Sequence, residues 1–195
     1  MDKYQILAPD EEKLLTALGY LVMRWNYAEG FARGILRKNF PAGSLTDVNH
    51  MQISSRSAGG IESDLQKLAL PNWQNPGRPF LERLIDVFSS GREFRNSIVH
   101  GIYFTVPQRG QWPARAVLTF EKPRGGKVHL LPDIELEKLV ETANYFHDLA
   151  MFAREVSLTF DKKGAVATNN DGSPVMLKFP TMICPLAEIK RVEIL

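Results

Sequence analysis

The apolar positions of this chain fall into three long stretches with a period near 3.6, one weaker stretch, and a region between where the period drops to two. Leu14, Leu18, Leu21, Trp25, Ala28, Ala32 and Ile35 recur at steps of four and three, which lines them along one side of a helix. Leu15, Val22 and Leu36 widen that line into a core-facing stripe. Asp10 is placed to cap the helix, Glu11 and Glu12 suit its positive end, and Arg33, Arg37 and Lys38 suit its negative end. Gly30 and Gly34 lower local propensity without interrupting the seam, and Pro41 and Gly43 end it. A helix is predicted over 10–38.

Between Ser44 and Leu70 the pattern weakens: Ile61, Leu65 and Leu68 keep helical spacing, but Gly59 and Gly60 oppose it, so two pieces or a frayed start are expected. A third helix is predicted from Pro79 to His100, carrying Phe80, Leu81, Leu84, Ile85, Phe88, Phe94 and Ile98, with a kink at Ser89-Ser90-Gly91 and a stop at Gly101. Alternation by two then marks strands at 102–106, 114–121 and 127–131, an antiparallel meander inserted between helices. Asp133 restarts a helix, whose Leu136, Leu139, Ala143, Phe146, Ala150 and Ala153 repeat the spacing of the first. Two such seams are suited to pack on each other. Strand character returns at 157–160 and 175–179, around a polar Gly/Asn/Asp loop at 162–173.

The expected fold is therefore mainly α: an antiparallel four-helix bundle over about 10–155, a β-meander over about 102–131, and an extended C-terminal tail over 157–195. At 195 residues this reads as a single domain spanning 1–195. Composition changes little: 44% hydrophobic and 24% charged residues are ordinary for a globular protein. The single Cys184 excludes an intramolecular disulfide and a cysteine zinc site, and suits a reducing compartment. A net charge of +2 does not advertise nucleic-acid binding, so any such binding must rest on a local patch. The N-terminal residues do not read as a secretory signal, and no apolar run reaches the roughly 18–20 residues of a membrane span, so a cytoplasmic location away from the membrane is expected.

Most candidates for chemistry have ordinary readings. His50, His100, His129 and His147 include no pair at i,i+4 and none has a nearby Cys, so no metal site and no metal cofactor is expected. His147-Asp148 lacks the further ligands of a metallophosphohydrolase. The Gly-rich basic run 122–127 lacks the spacing of a phosphate-binding loop and reads as a hairpin turn.

One segment stands apart, Arg92-Glu-Phe-Arg95-Asn96-Ser-Ile-Val-His100-Gly101. On a helix Asn96 and His100 lie about 40° apart and share a face, with Arg92 one turn before Asn96, whereas Arg95 is about 140° from His100. The negative end of a helix favours a protonated imidazole, and two guanidiniums beside it suit an anion such as phosphate. Arginine and histidine at a helix C-terminus also simply complement its dipole, which is the structural alternative.

Arg95-Asn96-x-x-x-His100 resembles the motif of HEPN domains, in which Arg, a polar residue and His sit on a late helix after a long first helix. The resemblance spans about residues 10–155, the short motif being its specific part. It implies metal-independent RNA cleavage without a cofactor, in the cleft of a homodimer, leaving a cyclic phosphate on one product and a 5′-hydroxyl on the other. By carry-over Arg95, Asn96 and His100 are the catalytic candidates: Arg95 to stabilise phosphoryl charge, His100 for proton transfer, and Asn96 to orient His100 or hold a substrate oxygen. Arg92 is the substrate-binding candidate. Such an endoribonuclease would suit a toxin or antiviral defence effector, with RNA as substrate and an antitoxin or other regulatory protein as a further partner. The competing class is a non-catalytic HEPN-like module for dimerisation, nucleotide binding or partner binding.

Overall fold

A computed structural model of the chain describes residues 9–39, 52–70, 75–100, 102–108, 111–120, 128–131, 136–160 and 192–193, with side chains over 12–39, 52–70, 75–99 and 136–160. Four helices carry the described side chains: α1 (Pro9–Asn39), α2 (Ala58–Ala69), α3 (Arg78–His100) and α4 (Leu136–Thr159). A single helical turn at 52–55 precedes α2, which is the two-piece arrangement that Gly59 and Gly60 suggest. Ser57 caps α2 by accepting from the Gly60 amide at 3.3 Å. Both glycines thus lie in the first turn rather than the helix interior.

The predicted seams become the core. Leu21, Trp25, Ala28, Ala32 and Ile35 of α1 and Leu139, Phe146, Leu149, Ala150 and Ala153 of α4 are fully or nearly fully buried. Among the described residues these two helices share the most extensive helix–helix interface. Trp25 sits at its centre, its ring 4.7 Å from that of Phe88 and 5.1 Å from that of Phe146. Leu15 departs from the expected stripe. It is 49% exposed, with Met23, Tyr20 and Tyr27 also exposed further along α1.

The antiparallel four-helix expectation is corrected by the directions of the long helices. Trp25 meets Phe146, a Cβ on Gly34 would stand 3.6 Å from Ser157 Oγ, and Lys38 donates to the Ser157 and Leu158 carbonyls at 3.3 Å. Residue numbers rise together, so α1 and α4 run parallel. On α3 they run oppositely to α4: Gly77 lies beside Phe160, Val87 O accepts from Tyr145 Oη at 2.8 Å, and Gly91 lies beside Phe146. The cause is the length of α2. Its 12 residues span about 18 Å, far short of the roughly 46 Å of the 31-residue α1. It cannot serve as a full return helix, and three long helices in up-down-up order leave the first and last parallel.

The helix ends also differ from the sequence reading. Strand character at 157–160 is overridden, because α4 continues to Thr159 and Phe160 N bonds to Val156 O at 2.7 Å. Val156 and Phe160 continue the i, i+4 seam and are fully buried, and that burial outweighs local β propensity. The tail therefore starts later than residue 157. α3 runs without interruption through Ser89-Ser90-Gly91. α1 begins at Pro9, which puts Asp10 in the first turn instead of at the cap. The expected stops and caps at Pro41, Gly43, Gly101 and Asp133, the loop at 162–173 and the strand at 175–179 lie outside the described residues.

The inserted β-meander is corrected as well. Where side chains are described, 94% of residues are helical and none is in a strand, so mainly α stands and the helical body contains no meander. The backbone of β1 (Ile102–Gln108), β2 (Gln111–Phe120) and β3 (Val128–Leu131) pairs antiparallel, but in a sheet ordered β1-β2-β3-β4. Its fourth strand, β4 (Val192–Glu193), comes from the chain's last residues, with His129 opposite Glu193 and Leu130 opposite Val192. A self-contained three-strand insertion followed by an extended tail does not describe that arrangement. Among the described residues no helix is long and apolar enough to cross a membrane.

Candidate functional site

The motif occupies the last turns of α3, a 23-residue helix held through Leu81, Leu84, Phe88 and Ile98, all fully buried. Arg95 and Asn96 stand half-buried beside that apolar line, and His100 is the last residue of the helix. The His100 side chain lies outside the described residues.

Arg95 Nη1 donates to Asn96 Oδ1 at 3.1 Å. A guanidinium has no acceptor, so the amide oxygen must be the atom that faces it. This gives Asn96 a partner the spacing did not show. Its oxygen is occupied by Arg95, and its Nδ2 has no acceptor among the described residues. The asparagine holds the arginine, a role the sequence reading did not give it, and it keeps two N–H donors for an oxygen from elsewhere. Neighbouring residues on a helix point about 100° apart, so this contact depends on the length and reach of the arginine stem.

Arg92, read as a substrate-binding cation, is engaged with α2. Its Nε donates to Glu62 Oε2 at 2.8 Å, an ion pair in which the Arg92 side chain is 28% exposed and Glu62 14%. A Cβ on Gly59 would stand 3.7 Å from Arg92 Nη1, so the glycine leaves ordinary contact distance for the guanidinium. Glu62 was not a sequence candidate. It lies 30 residues from Arg92 in the weakest helical stretch, and only the packing of α2 on α3 brings the two together.

A second polar locality lies on another side of the first turn of α2. An open hollow of about 590 Å³ is lined by Gln52, Ser55, Arg56, Ser57 and Gly60. Arg56 pairs with Asp64 at 3.2 Å, while Arg33 and Arg37 of α1 reach the Arg56 carbonyl at 3.1 Å and Ser54 Oγ at 2.7 Å. These contacts fasten the segment 52–57 to α1. Arg33 is itself held by Glu29 at 2.8 Å, and Glu29 also accepts from the Trp25 indole at 2.6 Å. A chain of hydrogen bonds thus runs from the core to the rim of the hollow.

His147 is half-buried on α4, and its Nδ1 has no hydrogen-bond partner among the described residues. His129 lies in β3 with its side chain outside the described residues, as are His50, Cys184 and the run 122–127. Among the described residues no three His, Cys, Asp or Glu side chains converge on one point. No protein-family model, curated protein or solved structure matches the chain.

Proposed function

We propose that this chain is a metal-independent endoribonuclease of HEPN type, acting as a homodimer in a toxin or antiviral defence role. The observation that carries the reading is the Arg95–Asn96 contact at 3.1 Å on the helix that ends at His100. An arginine steadied by its neighbour is a pre-oriented donor for developing phosphoryl charge, and such donors supply a large share of catalysis where charge builds up. RNA brings its own nucleophile. The 2′-oxygen attacks the adjacent phosphorus as its proton leaves to a base, the P–O5′ bond breaks, and the 5′-oxygen takes a proton. One strand ends in a cyclic phosphate and the other in a 5′-hydroxyl. His100 is the proton-transfer group in this scheme, Arg95 stabilises the phosphoryl oxygens, and Asn96 holds Arg95 while offering Nδ2 to a substrate oxygen.

The second reading, a non-catalytic module that dimerises or binds a nucleotide or protein partner, is favoured by one contact. Arg92 is tied to Glu62 as an ordinary inter-helix ion pair is. The deciding experiment incubates wild type, His100→Ala and Arg95→Ala with mixed RNA in EDTA, followed by end-group analysis. Cleavage by wild type alone, with cyclic phosphate and 5′-hydroxyl ends, supports the ribonuclease. Intact RNA with wild type leaves the binding module, and activity that persists in His100→Ala removes the mechanism.

A further inference from the structure

Arg92 and Glu62 can be read as more than a tie between helices. Of the five N–H donors of the Arg92 guanidinium, the contact with Glu62 uses the one on Nε. The Nη1 and Nη2 edge carries the other four, and no acceptor for it stands among the described residues. That edge is the one that grips two oxygens of a phosphate in parallel. The Glu62 side chain is the more buried partner, 14% exposed against 28% for Arg92. The anchor is thus the more buried member of the pair and the arginine the more exposed. One helical turn further along α3 sits Asn96, whose Nδ2 donors also lack an acceptor among the described residues.

We propose that Glu62 is a positioning residue. It fixes the Arg92 fork so that its Nη edge receives a backbone phosphate of single-stranded RNA, next to the phosphate that Arg95 and His100 act on. The proposal rests on the ribonuclease reading for the identity of the ligand, but not for the geometry of the seat. A carboxylate on Nε costs Arg92 some net attraction for an anion. In exchange it removes the freedom of a long side chain, which an anion would otherwise have to restrict on binding.

The test uses the full-length chain and a 2′-O-methyl oligoribonucleotide, which lacks the nucleophilic hydroxyl and is not cleaved. Affinity is measured against salt concentration. Loss of one phosphate contact on a single strand lowers the slope of log K against log salt by about 0.7. Arg92→Gln is expected to lower the slope by that amount and weaken binding several-fold. Glu62→Ala is expected to do the same, because the guanidinium is then unheld. Glu62→Gln should keep the slope, since its amide oxygen still accepts from Nε, and Arg92→Gln with Glu62→Ala should be no worse than Arg92→Gln alone. A purely structural ion pair would lower the melting temperature and leave the slope alone, and that result overturns the proposal. If Arg92→Gln fails to fold by circular dichroism, Arg92→Lys, which keeps the charge without the fork, takes its place, and affinity equal to wild type overturns the proposal. The two readings fail separately. Natural RNA left intact while the slopes shift as expected removes the ribonuclease and keeps the phosphate seat. Cleavage with slopes indifferent to Arg92 and Glu62 keeps the ribonuclease and removes the seat.

Discussion

A Cβ placed on Gly91 would stand 3.0 Å from Trp25 Cζ3, tighter than side chains ordinarily pack, with Phe146 Cε1 at 3.1 Å and Tyr145 Cε1 at 3.4 Å. The glycine that suggests a kink in α3 is a point where side chains of both α1 and α4 come close to its backbone. Gly91→Ala should therefore destabilise the protein by about 1–3 kcal/mol through overpacking, although alanine is the better helix former by roughly 1 kcal/mol. Gly19→Ala and Gly30→Ala are the controls. Nothing lies within 4 Å of a Cβ at either position, so each should stabilise by about 0.5–1 kcal/mol. Urea denaturation of the three variants gives the signs directly, and a stabilising Gly91→Ala would refute the close approach.

Trp25→Ala removes the ring that Phe88 and Phe146 enclose and leaves Glu29 without its indole donor. A loss of roughly 3–5 kcal/mol is expected. A loss below about 1 kcal/mol would place the indole outside the core.

Asn96→Asp separates the charge of Arg95 from its position. The aspartate should still hold Nη1, but its negative charge would cancel the guanidinium's pull on a phosphoryl group. RNA cleavage should fall about 10²-fold or more with the fold intact, as expected when a charge-stabilising donor is silenced. Arg95→Ala combined with Asn96→Ala should cost little more than Arg95→Ala alone, because groups acting as one unit are non-additive. Single-turnover cleavage of one RNA in EDTA gives both comparisons, and multiplicative losses would mean that the two residues act independently.

Lys38→Ala removes a donor to the last-turn carbonyls of α4, Ser157 O and Leu158 O. The contact is exposed, so the expected loss is only about 0.5 kcal/mol, shrinking in high salt. Thermal melts at two ionic strengths read both features.

Assembly follows from the proposed mechanism, because ideal helical spacing sets positions 95 and 100 about 140° apart. A two-fold dimer at micromolar concentration is expected by light scattering. A strictly monomeric chain would count against a composite site.

The long helices were legible because burial leaves a period in the sequence. Leu21, Trp25, Ala28, Ala32 and Ile35 are buried as their spacing predicts, and so are Leu139, Ala143, Phe146, Ala150 and Ala153. A period identifies a face and carries no direction, so the parallel course of α1 and α4 could not be read from it. The segment 157–160 misled because Thr159 and Phe160 are strand formers, while Val156 and Phe160 belong to the helical seam. At the candidate site the residue types along α3 were visible, but their partners were not. The four-residue rule puts Asn96 and His100 on one face but carries no sign of the contact between Asn96 and its immediate neighbour Arg95. Glu62 left no signal, since an ion pair between helices 30 residues apart has no sequence period.

The pairing of α1 with α4 also governs how this chain can be made. Lys38 meets the carbonyls of Ser157 and Leu158 across separations of 119 and 120 residues, and the same interface buries Trp25. On the ribosome, α1 emerges with its apolar stripe uncovered and waits for most of the chain before its principal partner exists. At about 5–20 residues per second that delay lasts about 6–24 s. Contacts of such long range slow folding and expose surface to aggregation in the meantime. Truncation before α4 should leave a nascent chain that binds chaperones or aggregates, and the last turns of α4 set the moment when the body can close.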